Sequence, residues 1–145
     1  MLTGGCSCGG IRFRLRSTPY DTGWCHCRIC QHVSGSGGLV FTTVPLADFV
    51  VERGADRLGR YRSTPFGERG YCLDCGDPLT IHVAHQPDEI DIVAAALDDP
   101  GAVSPTFRLY VREAPGWMSI TDDLPAFDAL RPDTRGLSPS RTGGG

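Results

Sequence analysis

The chain has 145 residues, a formal net charge of −3, 40% hydrophobic and 21% charged residues, 19 glycines, 11 prolines and seven cysteines. That length suits one domain with its own core. The acidic balance argues against a nucleic-acid partner, which needs a basic face, and no apolar run approaches the roughly 18 residues of a membrane span.

Met1 to Gly5 carries neither the basic segment nor the apolar core of a secretory signal. The expected compartment is the cytoplasm, where cysteines stay reduced and bind metal more often than they form disulfides. The odd cysteine count and the C-x-C spacings point the same way. Gly4-Gly5-Cys6-Ser7-Cys8-Gly9-Gly10 reads as a tight turn bearing two potential ligands. From Ile11 to Arg16 apolar and basic residues alternate strictly, predicting a half-buried strand with Ile11, Phe13 and Leu15 inward. Arg12, Arg14 and Arg16 then form a solvated face or an anion contact. Ser17-Thr18-Pro19 turns the chain, and Tyr20 to Trp24 leads into Cys25-His26-Cys27-Arg28-Ile29-Cys30, followed by Ser34-Gly35-Ser36-Gly37-Gly38.

Further on, β-branched and aromatic runs predict strands over 39–44, 49–53 and 59–63, with one helical turn over 46–49. Residues 67–72 deliver Cys72 at a strand end, and Gly76 just after Cys75 gives Cys72-Leu73-Asp74-Cys75-Gly76 the form of a zinc knuckle. Strands are also predicted over 79–85, 89–96 and 106–111, with Ile90, Ile92, Ala94 and Ala96 sharing one face. Abundant Gly and Pro favour many short strands, so the expected class is mainly β. Residues 1–130 are expected to form the domain and 131–145 a disordered tail.

The cysteines sort into four plus three. Cys6, Cys8, Cys72 and Cys75 make a complete tetrahedral set, clamping two distant turns through one metal ion. Cys25, Cys27 and Cys30 supply three ligands where a closed site needs four, which leaves a position for water or substrate, as catalytic sites do. Other readings stay open for this trio. Cys27 and Cys30 form a C-x-x-C pair of redox type, although Cys25 is superfluous there and no βαβ pattern surrounds it. His26 or His32 could supply a fourth ligand and close the site; His82 and His85 read as satisfied or exposed histidines. A divalent ion on three thiolates carries a net charge near −1 and is a soft, weak Lewis acid. It suits a fourth sulfur, whose thiol it would deprotonate, and a small aldehyde is a plausible electrophile for that sulfur.

Three blocks carry a resemblance: Gly5-Cys6-Ser7-Cys8-Gly9-Gly10-Ile11-Arg12-Phe13, then Cys25-His26-Cys27-Arg28-Ile29-Cys30 with Ser34-Gly35-Ser36, then Tyr71-Cys72-Leu73-Asp74-Cys75-Gly76-Asp77-Pro78-Leu79. In this order they resemble the glutathione-dependent formaldehyde-activating enzyme family, shared with centromere protein V. Pro105-Thr106 and the segment from Trp117 through Asp123-Leu124-Pro125-Ala126-Phe127 also resemble that family's C-terminal pattern. The resemblance covers roughly residues 3 to 130. It implies a β-tent fold of small packed antiparallel sheets, with a structural zinc on Cys6, Cys8, Cys72 and Cys75 and a catalytic zinc on Cys25, Cys27 and Cys30. Thiolate sets suit zinc and iron alike; the resemblance implies zinc. It also implies a carbon–sulfur lyase that joins glutathione and formaldehyde into an S-hydroxymethyl adduct, with a small-molecule thiol and aldehyde as partners. Where the late strand of this family often has His three residues after the Pro, this chain has Arg108, a departure bearing on substrate preference if that position faces the ligand. Carboxylate contacts for glutathione are sought among Arg12, Arg14, Arg28, Arg60, Arg62, Arg69 and Arg108, or at the amides of the Ser34 to Gly38 loop. Two rivals are a non-catalytic thiol carrier with the same open site and a zinc-stabilised protein-interaction module with two closed ones.

Overall fold

The structure is a computed structural model and describes residues 1–131; the rest of the expected tail lies outside the described residues. The chain is mainly β, with ten strands and one short helix among the described residues: β1 (Leu2–Gly5), β2 (Arg12–Leu15), β3 (Tyr20–Cys25), α1 (Arg28–Ser34), β4 (Leu39–Pro45), β5 (Phe49–Arg53), β6 (Leu58–Thr64), β7 (Gly67–Cys72), β8 (Pro78–Val83), β9 (Glu89–Val93) and β10 (Arg108–Leu109). No described helix is long and apolar enough to cross a membrane.

Two sheets result. The smaller has the order β1-β2-β5 and the larger β10-β3-β4-β9-β8-β7-β6. Every pairing between these strands is antiparallel, as expected, except that of β10 with β3, which is parallel. The alternating Ile11 to Leu15 segment behaves as its pattern predicts. Phe13 and Leu15 are buried, while Arg12 forks onto Asp98 and Arg14 faces Glu52 at 3.7 Å. These arginines are a solvated, acid-paired face rather than an anion site.

Among the described residues there are two hydrophobic cores, and each takes in members of one group of cysteines. The first joins Ile11, Phe13 and Leu15 of β2 to Val44, Leu58, Leu79, Ile90 and Ile92, and includes Cys6 and Cys72. The second gathers Leu39, Phe41, Ile81, Val83, Val93 and Phe107 around Cys25, Cys27 and Cys30. Strand alternation divides β9 between them: Ile90 and Ile92 enter the first core, while Val93 enters the second.

Several expected elements end early. The strand expected over 89–96 stops at Val93, and Ala94–Ala96 curls into a 3-10 turn, from which Ala96 still packs against the core of Ile90 and Ile92. The strand over 106–111 shrinks to Arg108–Leu109, because Tyr110 turns the backbone left-handed with φ 56°. Its hydrogen bonds are completed by a C-terminal strap: Arg108 N donates to Pro125 O, Phe127 N to Arg108 O and Tyr110 N to Ala129 O. The helical turn expected over 46–49 is present as a 3-10 turn at Leu46–Asp48.

Candidate metal centres and active-site pocket

Two turns bring the first four cysteines together. Cys6 and Cys8 lie in the β1–β2 turn, and Cys72 and Cys75 at the β7–β8 turn, with all four sulfurs within 4.8 Å of one another. Cys6 Sγ and Cys8 Sγ are 3.4 Å apart and Cys8 Sγ and Cys72 Sγ 3.8 Å. Sulfurs on a tetrahedral ion at ~2.3 Å would lie about 3.8 Å apart. The backbone already turns donors toward them: Ile11 N donates to Cys6 Sγ at 3.3 Å, and Asp74 N and Cys75 N both donate to Cys72 Sγ at 3.4 Å. Gly76 closes the knuckle at φ 81°, its N–H donating to Cys72 O, a conformation that a side chain would strain. Ser7 N donates to Asp77 Oδ2 at 2.6 Å, tying the two turns directly. This donor set fits one tetrahedral ion.

The second cluster is built locally. Cys25 ends β3, Cys27 caps the N-terminus of α1 and Cys30 lies in its first turn, with the three sulfurs within 4.8 Å of one another. Cys30 N donates to Cys27 Sγ at 3.4 Å. Hydrogen bonds from the Cys25 and Cys30 thiols, with that backbone donor, hold Cys27 well below the usual thiol range as a thiolate, whereas its two neighbours push Cys25 up. Arg69 of β7, only 2% exposed, reaches Cys30 Sγ through Nη1 and Nη2 at 3.5 Å each. Burial works against its charge, but the sulfurs outweigh burial and keep its pKa above the ordinary guanidinium value. Among the described residues no histidine nitrogen joins this trio.

His26 is not a fourth ligand, for a visible reason. Arg108 Nη1 donates to its Nε2 at 2.9 Å, so its Nδ1 carries the proton and donates to Gly37 O at 2.8 Å. Burial keeps the ring neutral. His32 faces Arg28 across 3.5 Å, and His82 pairs with Pro87 O at 3.1 Å. Arg108 itself does not face a ligand. It stacks 4.9 Å over Trp24 and is paired with Asp122 at 2.8 Å, so the departure at this position serves internal packing. In the Ser34 to Gly38 loop, Gly35 N and Ser36 N are used within the chain, by Gln31 O and Ser34 Oγ.

Beside the trio lies a cavity of about 60 Å³, lined by Cys25 and Cys30, with room for a molecule of a few heavy atoms. Phe41, Ile81, Val83 and Leu109 wall it, and Thr43 and Asp91 bring polar atoms into it. Asp21 and Tyr110, the non-glycine residues with positive φ among those described, both border it. Each costs roughly 1–2 kcal/mol of backbone strain, and strain of this kind gathers at functional sites. Of the seven arginines considered from the sequence, Arg69 alone meets the trio, through Cys30. Arg131, assigned to the tail, borders the cavity, pairs with Asp21 at 2.8 Å and stacks 4.0 Å over Phe107. Asp91 was overlooked as well. Its signal was an acid set between Ile90 and Ile92 in a strand whose Val93 side is also buried.

The sequence profile of the family described as "Glutathione-dependent formaldehyde-activating enzyme" matches residues 1–113. A protein of Halomonas elongata named "Putative glutathione-dependent formaldehyde-activating enzyme" is 32% identical over 127 residues, which are 83% of this chain and 81% of the relative. A crystal structure of a Rhodobacter sphaeroides protein aligns with a TM-score of 0.57 at 26% identity, covering 71% of this chain and 91% of that one. The matched span holds all seven cysteines, and on this agreement the chain belongs to the glutathione-dependent formaldehyde-activating enzyme family.

Proposed function

We propose that the chain joins a thiol such as glutathione to formaldehyde or another small aldehyde, forming a carbon–sulfur bond and an S-hydroxyalkyl adduct. One observation carries this reading: three sulfurs converge, two of them lining a small, mostly apolar cavity, and among the described residues no fourth protein ligand accompanies them. Cys25, Cys27 and Cys30 would hold a zinc ion, and Cys6, Cys8, Cys72 and Cys75 a second, structural one. Zinc on three thiolates supplies a soft Lewis acid that lowers the pKa of an incoming thiol. The chain's own residues do the rest. The thiol neighbours and the Cys30 N–H favour the thiolate form of Cys27, Arg69 offsets the negative charge of the trio, and Phe41, Ile81 and Leu109 give the cavity apolar walls.

The test is zinc stoichiometry and glutathione affinity of the purified protein beside Cys27→Ser, followed by the rate of adduct formation over the spontaneous one. Two zinc ions per chain, one in the variant, glutathione binding lost in the variant and an accelerated rate are expected. Binding without acceleration would make the protein a thiol carrier. Two zinc ions indifferent to both the variant and glutathione would remove the open site.

A further inference from the structure

The larger sheet sets two carboxyl groups in the cavity shared with the sulfur centre: Asp21, which is paired with Arg131, and Asp91. On β9, Ile90 and Ile92 point into the first core, so alternation aims Asp91 and Val93 the other way. Register then lines up a row across four strands: Arg69 of β7 opposite Ile81, Ile81 opposite Asp91, and Asp91 opposite Thr43 of β4. Arg69 bonds Cys30 at one end of this row. Asp91 lies two strand spacings away, about 10 Å, in the cavity that Cys25 and Cys30 also line. Thr43 Oγ1 donates to Asp91 Oδ1 at 2.8 Å; the second carboxyl oxygen is not used by that bond.

An acid in such a wall is costly unless neutral. Burial lifts Asp91 to about 7, and Glu89 and Asp21 push it the same way, while Thr43 and Arg69 hold it down. His85, Tyr110 and Arg131 are the other titratable or charged side chains on the cavity. A general acid performs best with a pKa near the working pH.

We propose that Asp91 is the general acid of this centre, its carboxyl protonating the carbonyl oxygen of a small aldehyde as the co-substrate thiolate adds to the carbon. This rests on the function proposed above. In the step the carbon–sulfur bond forms, the carbonyl π pair moves to oxygen, and that oxygen takes the proton from Asp91. The proton shed by the thiol returns through solvent to the carboxylate. The sum is thiol plus aldehyde to hydroxyalkyl thioether, with no net oxidation or reduction. A cavity of about 60 Å³ is well below the ~150 Å³ that holds benzene, so formaldehyde and its nearest homologues fit and aromatic aldehydes do not.

The experiment compares the zinc-loaded wild type with Asp91→Asn and Thr43→Val. In the wild type, the 13C shift of the Asp91 carboxyl should titrate with a midpoint near pH 7, and kcat with glutathione and formaldehyde should fall above that pH as the acid form disappears. Asp91→Asn should keep its zinc and its glutathione affinity, lose about 100-fold in kcat and lack the fall. Thr43→Val removes a hydrogen bond to the carboxylate, so it should move both the midpoint and the fall to higher pH. A carboxyl titrating near 4, an Asp91→Asn enzyme with wild-type kcat, or an unmoved midpoint in Thr43→Val would overturn the assignment while the proposed reaction stands. A wild type that binds zinc but accelerates nothing would overturn both.

Discussion

Arg69 and Arg108 show how one residue type takes two unlike tasks once buried. Both are nearly inaccessible, and a buried charge persists only with a partner. Arg108 finds Asp122 and the neutral His26 ring, and so fixes the segment between Cys25 and Cys27 from behind. Arg69 finds Cys30. A divalent ion with three thiolates carries a net −1, which this guanidinium offsets at a distance of one hydrogen bond. Arg69→Met keeps the length and the apolar stem but removes the cation, leaving the anionic centre buried alone. Groups that orient and neutralise metal ligands are typically worth 10–100-fold in affinity. Competition with a chromogenic chelator should therefore show zinc held 10–100-fold more weakly at the three-cysteine centre, with the four-cysteine centre unchanged. An affinity at the three-cysteine centre unchanged from wild type would mean that Arg69 stabilises the fold without tuning the metal.

The element that gives the trio its shape is α1 with the loop that follows it. Its seven residues begin at Arg28 and are capped by Cys27, whose sulfur takes the role usually given to Ser, Thr, Asp or Asn, which is why no helix was expected there from the usual start signals. The glycines after it have a structural use: Gly37 O receives the His26 proton, and a Cβ on Gly38 would lie 2.6 Å from His26 Nδ1. His26 cannot retreat, because Arg108 holds its other nitrogen. Gly38→Ala should cost about 1–3 kcal/mol, the usual range for overpacking, measured as a lowered urea midpoint with unchanged slope. Much else at this scale was readable. Cysteine spacing alone assigned both clusters, and alternation placed Phe13 and Leu15 inward. What local patterns could not carry was the strand order. The row Arg69, Ile81, Asp91 and Thr43 exists because β7, β8, β9 and β4 are neighbours, a relation with no local trace in sequence. The shortened β10 depends likewise on the strap from Pro125 to Ala129, and Arg131 reaches the cavity only because the strap leads there.

Across the whole molecule the two centres hold the chain at very different ranges. The four-cysteine set pins the β1–β2 turn to the β7–β8 turn, with Cys8 and Cys72 separated by 64 positions, and its buried members belong to the first core. Its ion would close a long loop, so its binding energy is folding energy. The three-cysteine set spans six residues of one strand end and one helix turn, joined by local backbone hydrogen bonds, and the second core around it is closed by β4, β8, β9 and β10. The zinc ions proposed for the two centres should therefore leave with different consequences. Titration with a strong chelator, followed by released zinc and circular dichroism together, should show one ion lost with the β signal intact, and the second lost only as the structure collapses. Cys27→Ser should abolish the first phase alone. Cys72→Ser should bring the collapse forward, giving metal-depleted or insoluble protein. A folded, soluble Cys72→Ser variant that still binds two zinc ions would remove the structural role from the four-cysteine centre.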